Sequence, residues 1–249
     1  MNRTVLPILC LFALLTQHPA ASEDLHVAVA ANFSRTFKTL AQKFEQESGH
    51  KILISSGSSG NQYAQILNGA PFHVFLSADS LRPQKLEEAK KIVTGTRFTY
   101  ALGILALWTS RQNLDLQEGE ILKSTGLGHI AVANPRLAPY GMAAEQTLKA
   151  FGLWDEKKGQ LVRGENVNQA FQYVESGNAQ VGFVALSQVL SLAESKRGQY
   201  WKVPSQYYRP IEQQAVQLKD SKAAKELLAF LKSPESRKII EASGYDIPQ

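Results

Sequence analysis

LHVAVAANFSRTFKTLAQKFEQESG, residues 25–49, changes its hydrophobic rhythm once. Leu25 to Ala30 is a short, almost unbroken apolar run, as expected of a strand covered on both faces. From Asn32 the period becomes helical: Phe33, Phe37, Leu40, Ala41 and Phe44 share one face. Asn32 is placed as the N-cap of that helix and Gly49 as its C′ residue. Outward from this unit the pattern repeats. Lys51–Ser55 reads as a strand, Ser55–Asn61 (SSGSSGN) as a hydroxyl-rich loop, and Gln62–Leu67 as a helix. Asn68-Gly69-Ala70-Pro71 turns the chain into a third strand, His73–Ser77, and Leu81–Lys91 follows as a helix. Strands alternating with helices in this way predict an α/β fold with a mostly parallel sheet, whose ligands bind where strand ends meet helix starts.

The apolar stretch Phe98–Trp108, interrupted by Gly103, is too long for a typical parallel strand and reads as one strand crossing into a second lobe. There a second set of units begins: strand His129–Ala133, helix Tyr140–Phe151, helix Val167–Glu175, strand Val181–Ala185 and strand Tyr200–Val203. Gln213–Leu218 crosses back, and Ser221–Leu231 and Pro234–Ala242 close the chain as helices. The expected organisation is one lobe from residues 23–101 plus 215–249 and another from 102–214. Two crossings with no low-complexity linker suggest a hinge and a cleft.

Residues 1–22 have the layout of a secretory signal: basic Met1-Asn2-Arg3, apolar Val5–Leu15, and small residues at Ala20-Ala21-Ser22. The single cysteine, Cys10, lies inside it, so the mature chain has no thiol chemistry, as suits a bacterial periplasm. Net charge is +5, and losing Arg3 with the signal makes it +4 (5 − 1). The basic residues are dispersed and match no nucleic-acid motif, which leaves a general attraction for anions. The histidines His18, His26, His50, His73 and His129 are isolated and offer no metal-ligand spacing. Gly57-Ser58-Ser59-Gly60 has neither the spacing of a nucleophile elbow nor the lysine of a P-loop.

Four helix starts, two from each lobe, carry the candidate site: Asn32; Ser58-Ser59-Gly60; Pro139-Tyr140-Gly141; and Asn166-Val167-Asn168. First-turn N–H groups lack intrahelical acceptors and lie at the positive end of the helix dipole. Four such starts facing one cleft would hold an anion without lysine or arginine. Each residue taken alone is an ordinary helix cap, so only convergence would make a site.

The segments VAVAANFSRTFKTLAQKFEQESG, SSGSSGNQYAQILNGAPFHVFLSAD, IAVANPRLAPYGMAAEQTL and VGFVAL span essentially the whole mature chain. In them the sequence resembles the periplasmic molybdate-binding proteins of ABC importers, the ModA family. The resemblance implies a type II periplasmic binding protein fold: two α/β lobes with a hinged interlobe cleft. It also implies a bound oxyanion held by Asn32, Ser59, Tyr140 and Val167, with Ala31 and Ser58 beside them. Many relatives place a tyrosine hydroxyl where this chain has Ala185, and Tyr140 stands where they have a small residue, so its phenol is a candidate replacement donor. The expected function is capture of molybdate or tungstate for a membrane permease by a monomeric periplasmic protein that is not an enzyme, uses no cofactor and binds no nucleic acid. The alternatives are a binder of sulfate, phosphate or a small organic acid, and an exported serine hydrolase using Ser58 or Ser59 with His73 as base.

Overall fold

A computed structural model describes residues 22–248. Apart from Ser22, the expected signal peptide lies outside the described residues.

Strand β1 (Asp24–Ala30) leads through a 3₁₀ turn (Ala31–Phe33) into helix α1 (Ser34–Ser48). Phe37, Leu40, Ala41 and Phe44 are buried on α1, and Gly49 ends it in the left-handed region at φ 75°, its N–H reaching Glu45 O. β2 (Lys51–Gly57), α2 (Ser59–Leu67), β3 (Val74–Leu76) and α3 (Leu81–Glu88) complete the first run. β4 (Phe98–Gly103) and β5 (Leu105–Thr109) follow. Next come β6 (Ile130–Ala133), α4 (Pro139–Ala150), α5 (Trp154–Lys157), β7 (Leu161–Gly164) and α6 (Val167–Glu175). The chain ends with β8 (Val181–Ala185), α7 (Leu186–Leu190), β9 (Gln199–Lys202), β10 (Ile211–Gln217), α8 (Lys222–Leu231) and α9 (Pro234–Ala242).

Two five-stranded sheets result, ordered β2-β1-β3-β10-β4 and β7-β6-β8-β5-β9. In each, three strands run parallel: β1 with β2 and β3, and β6 with β7 and β8. The other two are antiparallel: β10 between β3 and β4, and β5 between β8 and β9. The sheets are therefore mixed, where the sequence led to an expectation of mostly parallel ones. β1 and β6 are inner strands with parallel neighbours on both sides, which is why their sequences are apolar without alternation.

Several local expectations are corrected. Phe98–Trp108 is not one crossing strand: β4 pairs with β10 in the first sheet, β5 pairs with β8 and β9 in the second, and Ile104 alone separates them. Gly103 is the break. An added Cβ there would collide with Tyr140 Oη, so glycine is what lets α4 approach the strand end. Asn32 does not cap α1; it lies within the 3₁₀ turn, and α1 starts at Ser34. The short elements β7 and α7 were not anticipated. The return strand begins at Ile211 and, like β4 up to Gly103, belongs to the first sheet.

The first core gathers Phe33, Phe37 and Leu40 with Leu227 and Tyr245. The second gathers Leu107, Val132, Leu148 and Phe183, and extends onto Ala30, Ala31 and Ala78 of the first lobe, so apolar packing is continuous where the lobes meet.

Candidate functional site

The six residues expected at the site surround one small space between the sheets. Its lining is Ala30, Ala31, Asn32, Ser58, Ser59 and Ala78 from the first lobe, and Ala138, Pro139, Tyr140, Asn166 and Val167 from the second. The space has a volume of about 10 Å³, room for about one water-sized group, far below the roughly 300–1,000 Å³ of pockets for drug-sized ligands. The lining contains no lysine, arginine, histidine, aspartate or glutamate.

Each lining segment is placed by the end of a parallel strand. Ala31 and Asn32 follow β1, Ser58 and Ser59 follow β2, Ala78 follows β3, Ala138 to Tyr140 come after β6, and Asn166 and Val167 come after β7. Ser59, Tyr140 and Val167 lie in the first turns of α2, α4 and α6, so their N–H groups have no acceptor within their own helix. Pro139 at N1 of α4 gives up a donor that the helix does not use and fixes the entry angle toward Tyr140.

The serine hydroxyls are oriented by backbone donors. Ser58 Oγ accepts from Asn61 N at 3.3 Å, and the fully buried Ser59 Oγ accepts from Ala78 N at 2.9 Å. With a lone pair committed to a backbone N–H, each hydroxyl has its proton left to donate. Asn166 is a conventional cap: its side chain accepts from Asn168 N and Gln169 N and presents Val167 as the first helical residue.

Asn32 is held from behind. Its Nδ2 donates to Gln213 Oε1 at 2.8 Å and to Tyr245 Oη at 3.3 Å, and its carbonyl accepts from Tyr245 Oη at 2.8 Å. Both amide protons are thus used inside the protein, leaving the backbone N–H as the donor that position 32 can offer the cavity. Tyr100 Oη bonds Ser77 O and Gln213 Oε1, each at 3.1 Å. Burial raises the Tyr245 phenol to about 12, and burial also drives the Tyr140 and Tyr100 phenols well above their usual value. These groups therefore stay neutral and keep their protons at working pH.

The Tyr140 hydroxyl is buried without a hydrogen-bond partner, beside Gly103 at the end of β4 and near the Asn32 side chain. Gln213 Nε2 is likewise unpaired. Tyr140 also has a first-turn N–H with no acceptor in its own helix, while its phenol stands at the end of β4.

The lobes touch on both sides of the cavity. Gly60 N donates to Leu137 O at 2.9 Å, and Arg82 Nη2 donates to Arg136 O at 3.1 Å. On the other side Arg35 Nη1 reaches Ser191 O at 3.2 Å and Oγ at 2.6 Å, and Ser187 Oγ donates to Tyr245 Oη at 2.9 Å. The arrangement is closed.

A hydrolase needs a base beside Ser58 or Ser59. His73 stands at the opposite end of β3 from Ala78, with its Nδ1 accepting His26 N at 3.1 Å. Among the described residues no His/Cys/Asp/Glu group could hold a metal ion, and no helix is long and apolar enough to cross a membrane. Ala78, with the supporting Gln213, Tyr245 and Ser187, was not singled out from the sequence. The last three lie 155 to 213 positions from Asn32, and no local pattern links them.

The chain matches the family profile of bacterial extracellular solute-binding proteins over residues 25–246. It is 46% identical to the molybdate-binding protein ModA of Azotobacter vinelandii over 231 residues, covering 92% of each chain. To the protein of the same name from Rhodobacter capsulatus it is 44% identical over 230 residues, 91% of this chain and 90% of that one. Among solved structures, the Azotobacter vinelandii periplasmic molybdate-binding protein superposes with a TM-score of 0.87 at 43% identity, covering 90% of this chain and all (100%) of that one. The sulfate-binding protein SubI from Mycobacterium tuberculosis H37Rv shares the fold alone, with TM-score 0.72, 13% identity, and coverage of 90% and 86%. With its two mixed sheets, its interlobe cavity and identity to ModA proteins along most of its length, the chain belongs to the bacterial extracellular solute-binding proteins and, within them, to the ModA family.

Proposed function

We propose that this chain captures molybdate, and tungstate with it, in the interlobe cavity and delivers the anion to the membrane permease of an ABC importer. The observation that carries this reading is the uncharged lining: three helix starts, a 3₁₀ turn and two serine hydroxyls with protons to spare, around one small space between the lobes. The ModA relatives supply the identity of the anion. In this reading the donors are the hydroxyls of Ser58 and Ser59 and the backbone N–H groups of Ser59, Tyr140, Val167 and the Ala31–Asn32 turn.

Six hydrogen bonds to a charged group, at roughly 1.5–3 kcal/mol each, contribute about 9–18 kcal/mol before desolvation and closure are subtracted. A micromolar to nanomolar complex needs about 8–12 kcal/mol. Neutral donors therefore suffice. A donor ring fixed by helix starts favours an anion with long metal–oxygen bonds and leaves sulfate short of contacts. Protonated phosphate would bring a hydrogen with no acceptor to meet it.

The rest of the reading follows. Residues 1–22 are a cleaved signal that exports the protein to the periplasm, where it works as a monomer, without a cofactor, catalysing no reaction and binding no nucleic acid. The lobes, divided near residues 101–104 and 210–215, rotate about the β4–β5 and β10 crossings. Anion contacts available only in the closed form shift the population toward it.

Calorimetric titration with molybdate, tungstate, sulfate and phosphate tests this, repeated on Ser59→Ala. Tight uptake of the first two alone is expected, weakened at least tenfold by Ser59→Ala. Equal or tighter binding of sulfate or phosphate, or an unchanged Ser59→Ala, would refute the assignment.

A further inference from the structure

Behind Asn32 lies a hydrogen-bond relay that joins the two lobes and meets the cavity only through Asn32. Tyr245 follows α9 in the first lobe, beside β4, where Leu102 and Asp246 pair. Its buried hydroxyl is saturated. It donates to Asn32 O at 2.8 Å and accepts from Asn32 Nδ2 at 3.3 Å and from Ser187 Oγ at 2.9 Å. Ser187 is the second-lobe member, in the first turn of α7, and its Oγ is also 3.5 Å from Asn32 O. Neither Tyr245 nor Ser187 lines the cavity, whereas Asn32 does.

We infer that Ser187 and Tyr245 are positioning residues that couple lobe closure to the setting of Asn32, so that the 31–32 turn presents its N–H groups to the anion only when the second lobe has docked. The chemistry is a matter of available protons. In the separated lobes Ser187 leaves, Tyr245 loses one of its two donors, and the Asn32 peptide keeps fewer restraints. When the lobes meet, Ser187 completes the Tyr245 shell, and the phenol holds both the carbonyl and the side-chain amide of Asn32. With its carbonyl and side chain both held from behind, the Asn32 Cα is fixed from two sides, which restrains the preceding turn and with it the direction of the N–H groups of residues 31 and 32. The relay is neutral throughout, so it adds no field that would favour one anion charge over another.

This rests on the proposed oxyanion reading of the cavity, and the test separates the two. Molybdate affinity by calorimetry and release rate by stopped-flow tryptophan fluorescence are measured on the full mature chain and on Ser187→Ala, Ser187→Thr, Tyr245→Phe and the Ser187→Ala/Tyr245→Phe pair. Losing one neutral hydrogen bond corresponds to roughly a three- to tenfold weaker affinity. That loss is expected in each single variant, as faster release with little change in association. The double variant should be no weaker than the weaker single one, and Ser187→Thr, which keeps the hydroxyl, should restore binding. Unchanged affinity in both singles, or losses that simply multiply in the pair, would overturn the coupling. If the unaltered chain takes up no oxyanion, the ligand reading fails by itself. Small-angle scattering of the ligand-free variants then decides the link: a larger radius of gyration than the parent upholds it and identical curves overturn it.

Discussion

Gly60→Ala should act on closure and on nothing else. Gly60 is the second residue of α2, and its N–H crosses the cleft to Leu137 O at 2.9 Å. A Cβ at this position would lie 2.9 Å from Leu137 O and 3.0 Å from Leu137 Cα, both backbone atoms of the opposite lobe. The third neighbour, Arg82 Nη2 at 3.0 Å, is the tip of a side chain and can yield. Within its own lobe the substitution is harmless. Its φ lies outside the left-handed range, and alanine in a helix is favoured over glycine by about 1 kcal/mol. Ordinary contact needs roughly 3.4–4 Å, so the lobes must stand off by at least half an ångström. They then lose the Gly60–Leu137 hydrogen bond, about 0.5–1.5 kcal/mol, and misplace donors across the cavity at a cost comparable to overpacking, roughly 1–3 kcal/mol. Together these give about 1.5–4.5 kcal/mol, a roughly ten- to two-thousandfold weaker molybdate affinity. Calorimetry measures the affinity, and thermal unfolding of the ligand-free protein should show a Tm equal to or above that of the parent. An affinity within twofold of the parent would show that the lobes need not meet at Gly60 for the anion to bind, and the closed-cavity argument would fall with it.

The other expectations concern the buried phenols. Tyr140→Phe removes a hydroxyl that has no partner, so affinity should change by less than about threefold and stability should stay level or rise, since an orphaned buried polar group costs roughly 1–3 kcal/mol; a tenfold loss in calorimetry would instead make the phenol a ligand donor. The buried phenols of Tyr100, Tyr140, Tyr208 and Tyr245 are raised chiefly by burial, Tyr245 to about 12. The unfolded chain releases these protons first, so their stabilising contribution is complete below pH ~10 and is lost as pH climbs from there toward 12. Phenolate absorbance should therefore rise in two stages, the later one coinciding with loss of circular dichroism, and a single stage in the folded protein would contradict the burial.

Residues 25–77 were readable in advance because each element announces itself locally: an unbroken apolar strand, then a helix with Phe37, Leu40, Ala41 and Phe44 on one side and Gly49 behind it. Phe98–Trp108 resisted for the opposite reason. Both of its strands are almost wholly apolar, so neither alternation nor polarity marks the point where the chain leaves one sheet for the other. Nor does a short strand carry its own direction, so the antiparallel places of the apolar β5 and the more polar β10 could not be told from parallel ones. At the site, the helix starts were legible as individual caps, while the support behind Asn32 comes from Gln213 and Tyr245, 181 and 213 positions away.

Reading a serine at a helix start as either a cap or a ligand donor sets up a false choice. Capping uses the lone pairs of the hydroxyl oxygen, and anion binding uses its hydrogen. Ser58 accepts from Asn61 N and Ser59 from Ala78 N, and in each case the bond to the backbone turns the oxygen inward and leaves the proton to point elsewhere. A lysine at the same place would bring charge, flexibility and a standing attraction for every anion in solution. A capped serine brings one donor in a fixed direction. The discrimination expected of this cavity depends on that rigidity. It follows that Asn61 N, which Ser58 caps, and Ala78 N, which holds Ser59 from the end of β3, belong to the anion site as much as the hydroxyls do, although neither amide would touch the ion.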